Sequence, residues 1–293
     1  MAKERFEIAK KDIFSFFNNS KERIFKFKQL SQIFNDNREF WRLTQSMTAR
    51  EFIKRLIDTK KLTHYKFEFP SNIFNLYLWD TEFSIYKITS RIAPKGYFSH
   101  YSALYLNDLT EQIPKTIYIN NEQMPKPVNR SSLVQKNIDL AYSRKQRISN
   151  NFATFEDNRI YLLNGKNTKN LGVIELNIDD NINVNVTNIE RTLIDIVVRP
   201  SYSGGIQQVL DSFKIASTKN VSINKLCSIL KKLNYVYPYH QAIGFYLERS
   251  GAYRKSQIDL LRKFEINYNF YLSYNMKEKE YSKDWKIFYP KGF

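Results

Sequence analysis

Apolar residues recur at helical intervals near the start of the chain. Phe6, Ile8, Ala9, Ile13, Phe14, Phe16 and Phe17 fall within residues 6–17, and Asn18-Asn19-Ser20 closes the run. A shorter stripe, Phe27, Leu30, Ile33 and Phe34, predicts a second helix over 27–34. After the break Asn35-Asp-Asn-Arg38, a third helix is expected to begin near Thr48. Thr48 with Glu51 three positions later has the form of a capping box. Phe52, Ile53, Leu56 and Ile57 then supply the apolar stripe. Residues 63–70 alternate with period two and read as a strand. Three short helices and a strand in this order are the layout of a winged helix-turn-helix, predicted over residues 1–72.

Periodicity is weaker beyond that point. Ile73, Phe74, Leu76, Tyr77, Leu78 and Trp79 read as the start of a packed linker. Ser99 is a candidate N-cap for a helix through Asn107, 115–120 a strand, and Pro125-Lys-Pro127 a loop. The stretch 133–178, with Val134, Ile138, Leu140 and Ile148 and the apolar runs 160–163 and 171–176, reads as successive strands with Asn and Gly turns. From Asn188 the pattern turns helical, over 188–198, 205–217, 222–233, 238–249 and 256–264. Residues 265–293 are aromatic-rich and mix strand with irregular structure. Strands followed by a run of helices predict an α+β fold, with a mixed domain over 73–293.

Charge changes the picture more than composition does. Of 293 residues, 42% are hydrophobic and 15% aromatic, which suits a globular chain. Lys and Arg outnumber Asp and Glu by 46 to 29, a net charge of +17. Residues 1–70 carry 16 basic and 9 acidic side chains, 71–180 carry 13 and 11, and 181–293 carry 17 and 9. Two basic segments thus flank a nearly neutral middle. Such an excess fits a polyanionic partner, nucleic acid before an anionic membrane, because no Lys-rich amphipathic terminal helix stands out. The plainer reading is a solvated surface in a chain of AT-rich coding bias.

With its apolar stripe inward, the third helix would present Arg50, Lys54 and, more laterally, Arg55. Arg can pair with guanine edges, and long cations reach phosphates. Ser46 and Thr48 at the helix start could add hydroxyl or backbone N–H contacts to a phosphate. Lys61 and Lys66, beside and within the expected wing strand, complete the candidate DNA-binding set. Lys225, Lys231, Lys232, Arg254, Lys255, Arg262 and Lys263 form an additional basic surface. A solvated charged face explains the third-helix group equally well, whereas the second group is expected to add phosphate contacts to it.

Catalytic signals are sparse. His64, His100 and His240 lack metal-ligand spacing, and the single Cys227 argues against a structural zinc site or an intrachain disulfide. No phosphate-loop, dinucleotide or nucleophile-elbow motif is present. Arg191 and Asp195 at i,i+4 suit a structural ion pair. Ile174-Glu-Leu-Asn lacks the Glu-x-Lys that a restriction-type nuclease would want. Gly204-Gly205 suits a joint between two helices better than an anion nest. His100 reads as a polar anchor for the helix it opens. No metal or cofactor is expected. With no signal-peptide h-region and no run of about 18 apolar residues, the expected location is the cytoplasm.

Two longer phrases carry a resemblance. They are Tyr97-Phe-Ser-His-Tyr-Ser-Ala-Leu-Tyr-Leu-Asn-Asp-Leu-Thr-Glu-Gln-Ile-Pro-Lys-Thr-Ile-Tyr-Ile119 and Asn188-Ile-Glu-Arg-Thr-Leu-Ile-Asp-Ile-Val-Val-Arg-Pro-Ser-Tyr-Ser-Gly-Gly-Ile-Gln-Gln-Val-Leu210. With the basic N-terminal module, they resemble the AbiEi antitoxins of type IV toxin–antitoxin systems. The resemblance implies a winged-helix domain followed by a larger antitoxin domain, and no enzyme activity. It implies repression of the chain's own operon by binding inverted repeats in double-stranded DNA. It also implies antagonism, without a stable complex, of a co-encoded nucleotidyltransferase toxin of AbiEii type. The toxin's own Gly-Ser-x-x-x-Asp-x-Asp signature is absent. The competing reading is a nuclease that uses the winged helix for targeting, and it would call for a clustered acidic pocket.

Overall fold

The first helical stripe folds inward as its spacing demands. In the computed structural model, which describes residues 2–80, 83–125, 133–179 and 182–293, α1 (Ala2–Asn19) buries Phe6, Ala9, Ile13 and Phe17, three or four positions apart. β1 (Ile24–Phe25), α2 (Phe27–Asn37) and α3 (Ala49–Asp58) follow. Their apolar faces meet in an aromatic core. Trp41 stacks on Phe52 with ring centroids 5.5 Å apart, and Phe17 on Trp79 at 4.7 Å. The Trp79 indole N–H donates to Asn18 Oδ1 at 2.8 Å, so its polar edge is satisfied inside the core.

Residues 72–79, expected as a packed linker, are a strand. β3 (Asn72–Trp79) pairs antiparallel with β2 (Leu62–Phe69) along its whole length, and β1 takes the other edge of β3. The run Leu-Tyr-Leu-Trp hides its alternation because every member is apolar. In place, Leu76 and Leu78 are buried while Asn75 and Tyr77 face outward. Pro70-Ser71 connects the two strands, and proline presets a turn conformation there. After α4 (Ile85–Ile92) the first compact unit ends, so it spans 1–92 and its boundary lies after Ile92, not at 72.

The second unit, 93–293, is built on a six-stranded mixed sheet. In chain order it contains β4 (Tyr97–Phe98), α5 (His100–Leu106), β5 (Thr116–Asn120), α6 (Gln135–Tyr142), β6 (Phe152–Phe155), β7 (Asn158–Leu163), β8 (Val173–Asp179) and β9 (Ile182–Thr187). The strand order is β6-β7-β5-β4-β9-β8, with β5–β7 and β4–β9 parallel and the other pairs antiparallel. α6 corrects the expectation of strands throughout 133–178. Its buried residues are Ile138 and Tyr142, one helical turn apart, while Leu140 is half exposed. Of the expected Pro125–Pro127 loop, Lys126 and Pro127 lie outside the described residues.

The helical run is α7 (Ile189–Val198), α8 (Gly205–Ala216), α9 (Ile223–Leu233), α10 (Tyr239–Arg249) and α11 (Lys255–Arg262), each starting within one residue of its expected position. Asn188 and Ser222 cap α7 and α9 by accepting from the backbone N–H groups of Arg191 and Lys225. Residues 190–197 of α7 are all buried, which makes it the central helix of this unit. A 3-10 turn (Pro200–Tyr202) leads to Gly204 and Gly205, whose φ values of 79° and 88° only glycine adopts readily. They are the helix joint that their sequence suggested. β10 (Phe270–Tyr271), β11 (Lys279–Ser282) and β12 (Ile287–Pro290) form a small sheet in the order β10-β12-β11. The molecule is therefore α+β, and no helix among the described residues is long and apolar enough to cross a membrane.

Candidate nucleic-acid interface

The start of α3 is fixed by a residue that the sequence pattern did not single out. Arg38, just past α2, donates from Nη2 to the carbonyls of Thr44 (2.7 Å), Gln45 and Met47 (3.2 Å). One guanidinium thus gathers the turn between α2 and α3. Thr48 Oγ1 then accepts from the Glu51 N–H at 3.2 Å. Only this half of the expected capping box forms. The Glu51 carboxylate instead takes Arg55 Nη2 at 2.7 Å, and the Arg55 guanidinium lies over the Phe6 ring.

That pairing removes Arg55 from the free cations of the expected DNA-binding set. Lys61 is likewise held by Asp80 at 2.7 Å, and Lys66 is paired with Glu68. The Thr48 hydroxyl is spent on the cap, and the exposed Ser46 hydroxyl lies 3.4 Å from Thr44 Oγ1. Arg50 and Lys54 differ from these. Both are exposed, one turn apart on α3, and neither has a carboxylate partner among the described residues.

Arg50 and Lys54 line a groove of about 440 Å³ together with Ile53, Ile57, Phe27 and the hairpin residues His64, Asn75 and Tyr77. His64 stacks on its cross-strand partner Tyr77 with centroids 4.7 Å apart, and its Nε2 lies 2.9 Å from Asn75 Oδ1. The sequence reading missed Asn75 and Tyr77 as site residues because it lacked β3. Only the pairing of β2 with β3 brings them beside α3.

In the second unit the expected basic surface divides in two. Lys225 is paired with Glu190 at 2.9 Å, and Arg262 with Glu248 at 3.2 Å while lying over the Trp285 ring. These two charges are locally neutralised. Lys231, Lys232, Arg254, Lys255 and Lys263 are exposed and have no carboxylate partner among the described residues. Burial pushes the Cys227 thiol up to about 11 and Lys263, the C-cap of α11, pulls the other way.

The Arg191–Asp195 pair forms as its spacing predicted, at 2.8 Å, with both side chains buried. Arg191 also donates to Leu171 O at 2.6 Å and Thr168 Oγ1 at 3.3 Å, so it ties α7 to the segment before β8. Glu190 accepts from the Ser222 N–H at 3.2 Å besides pairing with Lys225. Among the described residues, no group of three or more His, Cys, Asp and Glu side chains is arranged to hold a metal ion.

No known family's sequence profile matches the chain, and no curated protein matches its sequence. Among solved structures, the crystal structure of the RV2827C protein from Mycobacterium tuberculosis superposes with a TM-score of 0.62 at 10% identity, covering 96% of this chain and 91% of that one. At that identity the likeness is one of fold alone.

Proposed function

We propose that the chain is a DNA-binding antitoxin and autorepressor of AbiEi type, with a winged-helix reader in residues 1–92. In this reading α3 enters the major groove of inverted repeats in the chain's own promoter, and the β2–β3 hairpin is the wing. The observation that carries it is the pair Arg50 and Lys54. They are unpaired cations on the exposed face of a helix whose start is fixed by Arg38 and Thr48. A free cation on a rigid helix makes phosphate and base-edge contacts without first breaking an ion pair. The second unit then carries antagonism of a nucleotidyltransferase toxin, the role implied by the resemblance of residues 97–119 and 188–210.

Gel-shift titration of the chain's own upstream DNA tests the reader. Arg50→Ala with Lys54→Ala should weaken binding by about 1–3 kcal/mol for each side chain that reads a base. Unchanged affinity in the folded double variant would remove α3 from the interface. Division of labour is tested by cutting after Ile92. Residues 93–293, expressed from a foreign promoter, should rescue cells making the cognate toxin without binding the operator. Rescue by residues 1–92 alone would reverse the assignment. A cut at 72 would be a poor test, because it strips β3 from β2 and Trp79 from the core.

A further inference from the structure

The second unit contains a cavity of about 460 Å³ that the antitoxin reading leaves unused. It opens where the carboxyl ends of the parallel strands β5 and β7 meet the start of β4, with Asn120 aligned to Leu163 and to Tyr97. Arg191, Asp195, Val198 and Arg199 reach it from one side of α7, spaced i, i+4, i+7 and i+8. Arg147 and Ser149 line it from the segment after α6, and Gly165, Lys166 and Thr168 from the segment after β7.

The lining is strongly one-signed. Four cations face the cavity, Arg147, Lys166, Arg191 and Arg199, against one carboxylate, Asp195. Asp195 is taken by Arg191. The other three cations have no carboxylate partner among the described residues. Arg199 Nη1 donates to Arg147 O at 3.4 Å, and Lys166 Nζ donates to Leu233 O at 2.7 Å and Asn234 O at 3.1 Å and lies over the Tyr235 ring. Like charges gathered in a concavity repel one another, and an anion relieves that repulsion. Guanidinium groups favour phosphate because their planar N–H pairs match its oxygens.

A second feature lies at the same place. Ser99 and His100 line the cavity, and Ser99 Oγ and His100 Nδ1 are buried polar atoms without a hydrogen-bond partner among the described residues. Buried polar atoms are normally satisfied, so an unpartnered pair beside a cavity marks where a ligand's hydroxyl or N–H would bond. Burial, with Arg199 and Arg191 adding to it and a hydrogen bond to the Asp195 backbone opposing it, lowers the His100 imidazole to about 3, so it stays neutral at ordinary pH. It thus presents no further charge, only a ring nitrogen. The volume falls in the range of small-molecule sites.

We infer that this cavity binds a phosphate monoester on a hydroxylated frame, with Arg147, Arg199 and Lys166 on the phosphate and Ser99 and His100 on the remainder. The same chemistry occurs in a free sugar phosphate and at the 5′ end of a nucleic acid.

Isothermal titration of the full chain with ribose 5-phosphate, ribose, and a trinucleotide with or without a 5′ phosphate tests the inference. Saturable binding that requires the phosphate is expected for one of the two phosphorylated probes. The tighter of them names the source. Arg147→Gln with Arg199→Gln should weaken that binding at least tenfold while the melting temperature holds. Arg50→Ala with Lys54→Ala should leave it unchanged, which separates this site from the proposed reader. Absence of saturable binding by the wild-type chain would overturn the inference. So would equal affinity in the Arg147/Arg199 variant, or equal binding of the tighter probe with and without its phosphate. Should the Arg147/Arg199 variant unfold, Ser99→Ala replaces it. A loss of affinity for the tighter phosphorylated probe would support the site, because Ser99 is placed on that ligand's frame, and unchanged affinity would overturn it.

Discussion

The helix α3 and the cavity of the second unit are both basic, yet they present charge in different ways. On α3, Arg50 and Lys54 are exposed, one turn apart, along the groove between the helix and the β2–β3 hairpin. In the cavity, Arg147, Lys166 and Arg199 line a concave wall around a buried, already neutralised Arg191–Asp195 pair. An exposed row of cations along a groove suits a long partner that brings its own regularly spaced phosphates. A concave cluster suits a small anion that can be surrounded. Net charge alone does not separate these cases. Several of the expected DNA contacts, Arg55, Lys61, Lys66, Lys225 and Arg262, are held in ion pairs. Which cations lack an acid nearby is the more telling quantity.

The largest expected effect separates structural charge from functional charge. Asp195→Ala strands the Arg191 guanidinium in a buried site, which costs about 3–5 kcal/mol. Denaturant unfolding should show that loss, whereas Arg50→Ala, on the exposed face of α3, should change stability by less than about 0.5 kcal/mol. A small loss for Asp195→Ala would mean that Arg191 finds water or another acceptor, and that the pair does not organise α7.

A smaller effect distinguishes the two exposed basic surfaces. Each phosphate contact contributes about 0.9 to the slope of log affinity against log salt on duplex DNA. Removing Arg50 and Lys54 should therefore make the slope shallower by about 2. Lys231→Gln with Lys232→Gln should do the same if α9 also meets the phosphate backbone. An unchanged slope in that second variant would make the second-unit charge ordinary solvated surface and restrict DNA contact to the first unit.

These contrasts also explain what the sequence made legible. The helices α7 to α11 were readable because each has a strong apolar period, and α7 and α9 have Asn188 and Ser222 as caps. The Arg191–Asp195 pair was readable because both partners lie on one helix. β3 was not, since Leu76-Tyr-Leu-Trp79 is apolar throughout and its alternation shows only once β2 is beside it. α6 was not, since Val134, Ile138 and Leu140 read equally as alternation and as a helical stripe. The helix α3 was legible up to its own residues, but Asn75 and Tyr77 join it through strand pairing. The cavity was wholly illegible. Ser99, Arg147, Lys166 and Arg199 come from four separate segments and converge only when the sheet and α7 assemble.

A further expected effect is a pH dependence of the second unit. His100 has its folded-state affinity for protons lowered from 6.5 to about 3, by burial first and by Arg199 and Arg191 after it. The unfolded chain therefore binds a proton below pH 6.5 that the folded chain refuses. Stability is complete above about 6.5 and falls as the pH drops towards 3, by up to about 1.4 kcal/mol per pH unit. His240, also lowered by burial, contributes with the same sign, so a variant is needed to isolate His100. His100→Asn is suitable because His100 has a φ of 53°, and asparagine tolerates that left-handed backbone better than most residues. Denaturation midpoints at pH 7 and pH 5 should lie closer together in the variant than in the wild type. Equal spacing would mean that His100 takes up its proton in the folded state. That would make the cavity more open to water than its arginines and the neutral imidazole imply.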